Sequence, residues 1–443
     1  MHSAGLGLGA LASTFSGPSS SWSLSDLPPG VLLAASLIRT SADVGGVADG
    51  GLVDTVVDLG PDGDDPTALD SSHRPHFRAG RFGGPPVLDA SGTNTVLYGS
   101  LDRSGATELF ILCEDPGGDS YRFDRDNGAL TLYAGSLLNA GAGQTWPAYV
   151  PVDAYSVNGV AGAVVSGDVP TRTPGIPGVM HLYRIKKVAG FSGGPVTWLA
   201  DRFVQNGRSW PGRCGGFVLV NGISDGDAAH LVTHMQTLQR RALVACCGDS
   251  LTQGGYGPAP IVRSQTWPAL LSAAWHGCAD VANLSQGGQG FGAFGSPATG
   301  TMLDDDPARL AAKPFDVTGR PGKGKIVVAW AGTNDLALAR TLAQLKADCA
   351  AYVAAQQAAG WQVVIPTMID RQDVSIATNR SAFNSWLLAG SSGADAVVDL
   401  TGVSGLSDAT DTTYYQSDKV HLTATGTALL LAPIKAALEA LLP

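Results

Sequence analysis

The sequence predicts a protein of two domains, an all-β domain followed by an α/β domain with a parallel sheet. Its 443 residues exceed what one ordinary hydrophobic core supports. Between residues 50 and 222, short apolar runs alternate with turn residues, without helical periodicity between them. From residue 242 onward, apolar runs of strand length alternate with helical segments, which is typical of a parallel sheet covered by helices.

The composition is that of a folded, acidic protein. Hydrophobic residues make up 44% and charged residues 15% of the chain, unlike the composition of disordered proteins. The net charge of −10 disfavours nucleic acids and anionic membranes as main partners. No apolar run approaches the roughly 18 residues of a transmembrane helix. No Lys or Arg precedes Arg39, so we expect no standard signal peptide either.

The six cysteines show no spacing typical of a disulfide framework or a zinc site. Cys246 and Cys247 are adjacent within an apolar run, so their side chains would point to opposite faces of a strand. We therefore expect buried, reduced cysteines and no metal bound through them.

We assign residues 49–240 to the all-β domain and residues 1–48 to an N-terminal arm or attachment segment. The arm prediction rests on a start rich in Gly, Ser and Ala and on the turn-forming run Leu27-Pro28-Pro29-Gly30. Asn127-Gly128 indicates a hairpin, and a helix from Ser224 to about Arg240 closes the domain. Strands at this spacing favour a β-sandwich or jelly roll. The predicted strands are 95–101, 107–113, 121–123, 129–133, 181–185, 196–200 and 216–220.

Residues 241–443 form the predicted α/β domain. Open parallel sheets place their active sites at the carboxyl ends of the strands, and the polar motifs of this domain all follow predicted strands. The acidic run Asp304-Asp305-Asp306 is predicted as a solvated loop, within a long connection at 296–324 that partly covers the site. The predicted strands are 242–247, 280–284, 325–331, 362–366 and 396–400, and the predicted helices lie near 264–276, 338–359, 380–389 and 424–441.

Ser250 follows the first of these strands, in the run Gly248-Asp249-Ser250-Leu251-Thr252. A serine on a turn at a strand end can reach a substrate while a neighbouring base takes its proton. On its own, however, the motif would be interpreted as an ordinary Gly-Asp turn.

Two further segments supply candidate partners for Ser250. Asn334 follows the strand at 325–331 and can donate its side-chain amide to a developing oxyanion, although it could instead cap the following helix. Asp418 and His421 stand three residues apart at a loop–helix junction, where the carboxylate can orient the imidazole as a base. A lone histidine in such a place is more often structural, but His276 is the only other histidine of this domain.

A fourth segment, Asn283-Leu284-Ser285-Gln286-Gly287-Gly288, follows the strand at 280–284. Glycine at a strand end can bring a backbone amide close to a ligand without steric cost. On its own, this segment is simply a loop.

Together the four segments resemble the SGNH (GDSL-type) serine hydrolase family, in the family's order and over about 200 residues from Ala242 onward. By that resemblance Ser250 is the nucleophile, Asp418 and His421 complete the triad, and Gly288 and Asn334 join the Ser250 backbone amide in the oxyanion hole. The second motif departs from the family at Ser285, where a glycine is often found, and this affects the assignment of Gly288. The resemblance implies a flavodoxin-like α/β/α fold, ester hydrolysis, and no metal or other cofactor.

The first domain is similar to concanavalin A-like (laminin-G-type) jelly rolls in its strand spacing, its opening at 52–59 and its closing run at 217–222. Such domains bind glycans or serve as spacers. The whole arrangement resembles bacteriophage tail-associated proteins that modify host surface polysaccharide, which predicts a virion-associated homo-oligomer.

These resemblances predict an O-acetyl esterase that acts on a cell-surface or cell-wall polysaccharide. Two alternatives stay open. The first is a receptor-binding or structural virion protein with minor hydrolase activity. The second is a lipase or thioesterase for long acyl chains, which would need a broad apolar cleft.

Overall fold

The computed structural model describes most of the C-terminal half and the central strands of the N-terminal half. The described residues are 22–61, 63, 65–68, 71–82, 84–90, 97–99, 105–114, 123–125, 154–157, 160–161, 180–186, 196–198, 212–239, 242–276, 278–292, 300–311, 324–338, 340–372 and 374–443.

The described strands of the N-terminal part form two antiparallel sheets. Their strands are β1 (Leu32–Leu37), β2 (Thr67–Ala68), β3 (His76–Arg78), β4 (Val87–Asp89), β5 (Leu97–Gly99), β6 (Glu108–Glu114), β7 (Phe123–Arg125), β8 (Ala154–Val157), β9 (Val160–Ala161), β10 (Met180–Lys186), β11 (Val196–Trp198) and β12 (Arg213–Val220). The larger sheet has the order β3-β4-β12-β6-β10-β8-β9, with β1 also paired to β12, and the smaller sheet has the order β2-β5-β11-β7. The prediction of an antiparallel β domain is confirmed, whereas its jelly-roll connectivity stays a prediction.

The central strands of the larger sheet are covered on both faces. Along β6, the side chains of Leu109 and Ile111 belong to one apolar cluster, and those of Phe110 and Leu112 belong to another. This alternation is the two-residue period of a strand. The second cluster includes Leu231 and Met235 of helix α1 (Asp225–Gln239), the predicted closing helix.

The prediction of an N-terminal arm through residue 48 is wrong for residues 32–37. Strand β1 pairs with β12 in antiparallel register from Leu32↔Val220 to Leu37↔Gly216. The run Leu32–Leu37 is apolar, and Ala35 and Leu37 are fully buried, so this segment contributes to the core. Residues 1–21, the predicted hairpin at Asn127-Gly128 and the predicted strand at 129–133 lie outside the described residues.

In the C-terminal part, the described strands form a five-stranded parallel sheet with helices on both faces. The strands are β13 (Ala242–Gly248), β14 (Ala279–Asn283), β15 (Lys325–Trp330), β16 (Gln362–Pro366) and β17 (Ala396–Val398), in the order β14-β13-β15-β16-β17. The helices are α2 (Ser250–Gln253), α3 (Trp267–Ala274), α4 (Met302–Ala311), α5 (Thr333–Ala337), α6 (Leu342–Ala358), α7 (Val374–Leu388), α8 (Ala424–Ala428) and α9 (Leu431–Leu441). The predicted α/β domain with a parallel sheet is confirmed.

Alternate side chains of β13 enter the two apolar clusters of this domain. Cys247 belongs to the cluster that contains Tyr352 of α6, and Cys246 belongs to the one that contains Trp267 of α3. The opposite orientation predicted for the two cysteines is therefore confirmed. All six cysteines are reduced and buried, as expected.

Residues Ala424–Leu441 are long and apolar enough to cross a membrane by composition, with a mean hydropathy of 1.3. They form two helices, α8 and α9. Ile434 and Leu438 of α9 are fully buried in the cluster beneath the parallel sheet. This packing explains the apolar composition of α9.

Buried polar contacts connect the two parts of the chain. Arg213 of β12 donates from Nη1 to the Glu114 carboxylate, at 3.0 and 2.9 Å, and to the Ser272 hydroxyl of α3 at 3.2 Å. The Met180 backbone N–H donates to Asp280 of β14 at 3.0 Å. Helix α1 ends at Gln239 and β13 begins at Ala242, so our proposed boundary between residues 240 and 241 falls between these elements.

We predict that Arg213→Met lowers the free energy of unfolding by about 3 kcal/mol, because the Glu114 carboxylate would lose its buried partner. Urea unfolding of the full chain measures this change. In Arg213→Met/Glu114→Gln no buried charge is left alone, so stability should recover. A double variant as unstable as the single one would show that the ion pair is not the cause.

Candidate active site

Ser250 begins helix α2, and only Asp249 separates it from the end of strand β13. Gly248 has a φ of 150°, and a Cβ there would lie 2.4 Å from the Trp330 carbonyl oxygen, so this sharp exit from the strand requires glycine. Asp249 is the N-cap of α2, and its side chain accepts a hydrogen bond from the Leu251 N–H at 2.9 Å. These contacts hold Ser250 at the carboxyl edge of the sheet.

Three of the predicted site residues form a continuous chain of hydrogen bonds. His421 Nε2 lies 2.9 Å from Ser250 Oγ, and His421 Nδ1 lies 2.6 Å from Asp418 Oδ2. The His421 backbone N–H also donates to Asp418 Oδ1 at 3.0 Å. The arrangement has the geometry in which a carboxylate orients an imidazole toward a hydroxyl.

The turn between Asp418 and His421 is tightly folded. Lys419, in the middle of it, has a φ of 59°. Partial burial tends to raise the pKa of Asp418, but the hydrogen bonds from the His421 side chain and backbone lower it below its ordinary value overall. Asp418 is therefore negatively charged at neutral pH, as an acceptor for the imidazole N–H must be to stabilise an imidazolium.

Asn334 lies in the first turn of α5, and Gly332 rather than Asn334 caps that helix. Its side-chain Nδ2 donates to the Gln289 carbonyl oxygen at 3.0 Å and to Asp249 Oδ2 at 3.4 Å. The structure thus joins Asn334 to the immediate neighbours of both Gly288 and Ser250.

The loop after β14 carries Gly288, which has a φ of 81°. The Gln286 N–H donates to the Gly248 carbonyl oxygen at 2.9 Å, and the Gly287 N–H donates to Gln253 Oε1 at 2.5 Å. At the position where the family often has glycine, the Ser285 hydroxyl donates to the Asn283 side chain. The loop is therefore fastened to both ends of the segment that carries Ser250.

Arg309 of α4 is a further residue of the site that the sequence prediction missed. Its guanidinium donates to the Leu284 carbonyl oxygen at 3.3 Å, to Gln289 Oε1 at 3.3 Å and to the side chain of Gln286. A single side chain thus contacts three residues of the loop that carries Gly288.

The prediction of a solvated loop at residues 304–306 is wrong. These residues lie in α4, and Asp306 is fully buried. Its carboxylate accepts hydrogen bonds from the Tyr352 hydroxyl at 2.9 Å and from Arg309 at 3.2 Å. These partners are distant in sequence or a helical turn away, so only the folded chain reveals why Asp306 is buried, whereas Asp304 in the same run is exposed.

Gln416 connects the His421 loop with the loop after α2. Its buried side chain donates from Nε2 to the Tyr256 carbonyl oxygen at 3.2 Å and accepts from the Ala259 N–H at 2.8 Å. The Gln416 backbone N–H donates to the His421 carbonyl oxygen at 2.8 Å. A glutamine in a polar loop carries no sequence signal for such a role.

A small cavity of about 10 Å³ lies beside the hydrogen-bonded chain. Its lining includes the sequence neighbours of Ser250, Asn334 and His421. A volume of this size is about that of one water-sized sphere. The lining residues are Asp249, Leu251, Trp330, Ala331, Thr333, Met368, Ile369, Asp370, Arg371 and Val420.

Comparison with known proteins gives a family for this region. Residues 246–429 match the GDSL-like Lipase/Acylhydrolase family. No curated protein matches the chain in sequence.

Several solved structures are similar to the C-terminal part. A psychrotrophic esterase from Pseudoalteromonas sp. is 16% identical, with a TM-score of 0.36, and the match covers 45% of this chain and 97% of that one. A carbohydrate acetylesterase family member from Sinorhizobium meliloti is 18% identical, with a TM-score of 0.35 and coverage of 45% and 98%. A member of the lipolytic protein G-D-S-L family from Veillonella parvula is 17% identical, with a TM-score of 0.34 and coverage of 44% and 95%.

The segment matched by the family contains all five predicted site residues, from Ser250 to His421. The family resemblance found in the sequence is confirmed for this half of the chain. The C-terminal half therefore carries a GDSL-like lipase/acylhydrolase domain and is a carboxylic ester hydrolase.

Proposed function

We propose that the protein is a serine O-acetyl esterase that acts on a cell-surface or cell-wall polysaccharide. Ser250 is the nucleophile, His421 is the base, and Asp418 orients and stabilises His421. The observation that carries the catalytic part is the unbroken hydrogen-bond chain from Asp418 through His421 to Ser250, with distances of 2.6 and 2.9 Å.

In the proposed reaction, Ser250 Oγ attacks the ester carbonyl carbon while its proton passes to His421 Nε2. The tetrahedral intermediate collapses when the bond to the alcohol oxygen breaks and that oxygen takes the proton from His421. Water then attacks the acetyl group on Ser250, gives a proton to His421, and the acid leaves as Ser250 regains its proton. No redox step or external reductant is required.

The oxyanion of the intermediate is proposed to bind the backbone amides of Ser250 and Gly288 and the side-chain amide of Asn334. Asn334 Nδ2 is fixed by its 3.0 Å hydrogen bond to the Gln289 carbonyl oxygen. Its second hydrogen donates to Asp249 Oδ2 at 3.4 Å, which is the longer and weaker of the two hydrogen bonds, so we infer that this hydrogen exchanges Asp249 for the oxyanion as the intermediate forms.

The acetyl specificity of the proposal comes from the resemblance to polysaccharide-modifying esterases drawn from the sequence. The small cavity next to the triad is lined by sequence neighbours of Ser250 and His421 and not by these two residues, so it does not define the acyl site. The antiparallel domain, which contacts α3 and β14 through Arg213 and Met180, is proposed to hold the polysaccharide near the esterase site.

We predict that Ser250→Ala abolishes ester hydrolysis, lowering kcat by roughly 10⁴-fold or more on p-nitrophenyl acetate. The wild type should prefer the acetate to the octanoate in kcat/KM, as expected of an O-acetyl esterase. A p-nitrophenyl ester series of increasing chain length measures both effects. A preference for long chains would contradict the acetyl specificity while leaving the serine mechanism intact.

Arg309 is proposed to position the loop of Gly288, so Arg309→Met should lower kcat roughly tenfold or more with little change in KM. Steady-state kinetics on p-nitrophenyl acetate provide the measurement. Arg309→Lys is the matched control, since it keeps the charge near Asp306 but cannot reach several acceptors at once, and it should show an intermediate loss. An unchanged kcat in a folded Arg309→Met protein would refute the positioning role.

Burial raises the pKa of the Asp249 carboxyl to about 7. In the unfolded chain this group loses its proton near its ordinary pKa of 3.8, whereas the folded protein keeps it to about pH 7. The folded state therefore binds more protons in this window, and its stability falls as the pH rises through it.

In Asp249→Asn the free energy of unfolding should decline less steeply with pH between pH 4 and pH 7 than in the wild type. The two slopes should differ by up to about 1 kcal/mol per pH unit. Urea unfolding at several pH values measures the slope, and Asp225→Asn, at the exposed start of α1, serves as the control. A slope in Asp249→Asn identical to that of the wild type would contradict the effect of burial on Asp249.

A further inference from the structure

Tyr256 is an exposed aromatic residue beside the proposed catalytic histidine. Its ring and the His421 ring are stacked, with centroids 6.3 Å apart and planes 19° from parallel. The residue is nevertheless 41% exposed, so a substrate can reach its side chain. Neither the family match nor the proposed mechanism gives it a role.

The backbone around Tyr256 is built to hold this position. Gly254, Gly255 and Gly257 all have positive φ angles, of 69°, 78° and 88°. A Cβ at Gly287 would lie 2.3 Å from the Tyr256 ring, so the loop after β14 has no side chain where the ring packs. The ring thus rests on the loop that carries Gly288.

Gln416 fastens Tyr256 to the His421 loop. Its side chain binds the Tyr256 carbonyl oxygen and also donates to the Leu422 carbonyl oxygen at 3.0 Å. Gln416 is only 5% exposed, so these hydrogen bonds are shielded from water. The backbone segments that carry Tyr256 and His421 are therefore held together.

The chemistry of the reaction determines which half of the ester passes this ring. His421 must return its proton to the oxygen of the leaving alcohol, so the alcohol half lies against His421 when its bond breaks. An exposed ring stacked beside His421 is on that alcohol side. Ring alcohols present faces of C–H groups, which pack well on an aromatic ring.

We propose that Tyr256 is a specificity-determining residue that packs against the ring of the alcohol half of the ester. This inference rests on the proposed function, in which the alcohol is a sugar unit of an acetylated glycan. Tyr256 selects esters of ring alcohols over esters of small open-chain alcohols and takes no part in proton transfer.

The test compares three acetate esters: a fully acetylated methyl xyloside, cyclohexyl acetate and ethyl acetate. Tyr256→Ala should raise KM for the two ring esters roughly fivefold, the size of one aromatic packing contact. Its kcat, and its kcat/KM for ethyl acetate, should stay within twofold of the wild type. Tyr256→Phe keeps the ring and should behave as the wild type, and Val262→Ala, at a 60% exposed position of the same loop, is the matched control.

Equal losses on all three esters would overturn the proposal, because Tyr256 would then act through His421. Unchanged KM values for both ring esters would overturn it as well. The proposed function is tested separately by the wild type. If the wild type hydrolyses cyclohexyl and ethyl acetate but not the acetylated xyloside, the proposal of a sugar substrate is contradicted. The comparison of cyclohexyl with ethyl acetate then still tests the role of Tyr256. If it hydrolyses none of the three, both proposals fail.

Discussion

The pairing of β13 with β14 on one side and with β15 on the other is the constraint on which the site depends. Because the chain continues from β13 in one direction and later returns on the other side, the loops at the carboxyl ends of these strands diverge and leave a crevice. Ser250 follows β13, Gly288 follows β14 and Asn334 follows β15. Three of the four motifs are thus brought to one edge by strand order alone.

Side-chain hydrogen bonds turn this edge into a fixed arrangement. Asn334 donates to the sequence neighbours of both Ser250 and Gly288. Arg309 donates to the loop that carries Gly288. Gln416 connects the loop of His421 with the loop of Tyr256. Burial of carboxyl groups accompanies this rigidity. Burial raises the pKa of Asp335 to about 6, although the N–H groups of Phe291 and Gly292 donate to it and oppose the shift. The buried carboxyl groups that hold the geometry of the site therefore lower the free energy of unfolding at neutral pH.

The sequence predicted the elements whose signals are local. The run Ala242–Gly248 is apolar and ends in glycine, so both the strand and the exit toward Ser250 could be recognised, and the spacing of Asp418 and His421 anticipated their hydrogen bond. Residues whose role depends on distant partners were missed or misjudged. Asp306 belongs to an acidic run that predicts solvent exposure, and its hydrogen bonds with Tyr352 and Arg309 explain its burial. Strand β1 was likewise assigned to the arm because its partner, β12, lies far along the chain. The virion setting and the homo-oligomer stay predictions of the sequence.

The central claim is that Ser250 is a nucleophile activated by His421. The most direct measurement is labelling of the full chain with diethyl p-nitrophenyl phosphate, followed by intact mass and peptide mapping. The account predicts one diethylphosphoryl adduct, located on Ser250, and strongly reduced labelling in His421→Ala. An adduct on a different residue, or labelling of Ser250 at the same rate without the His421 imidazole, would contradict it.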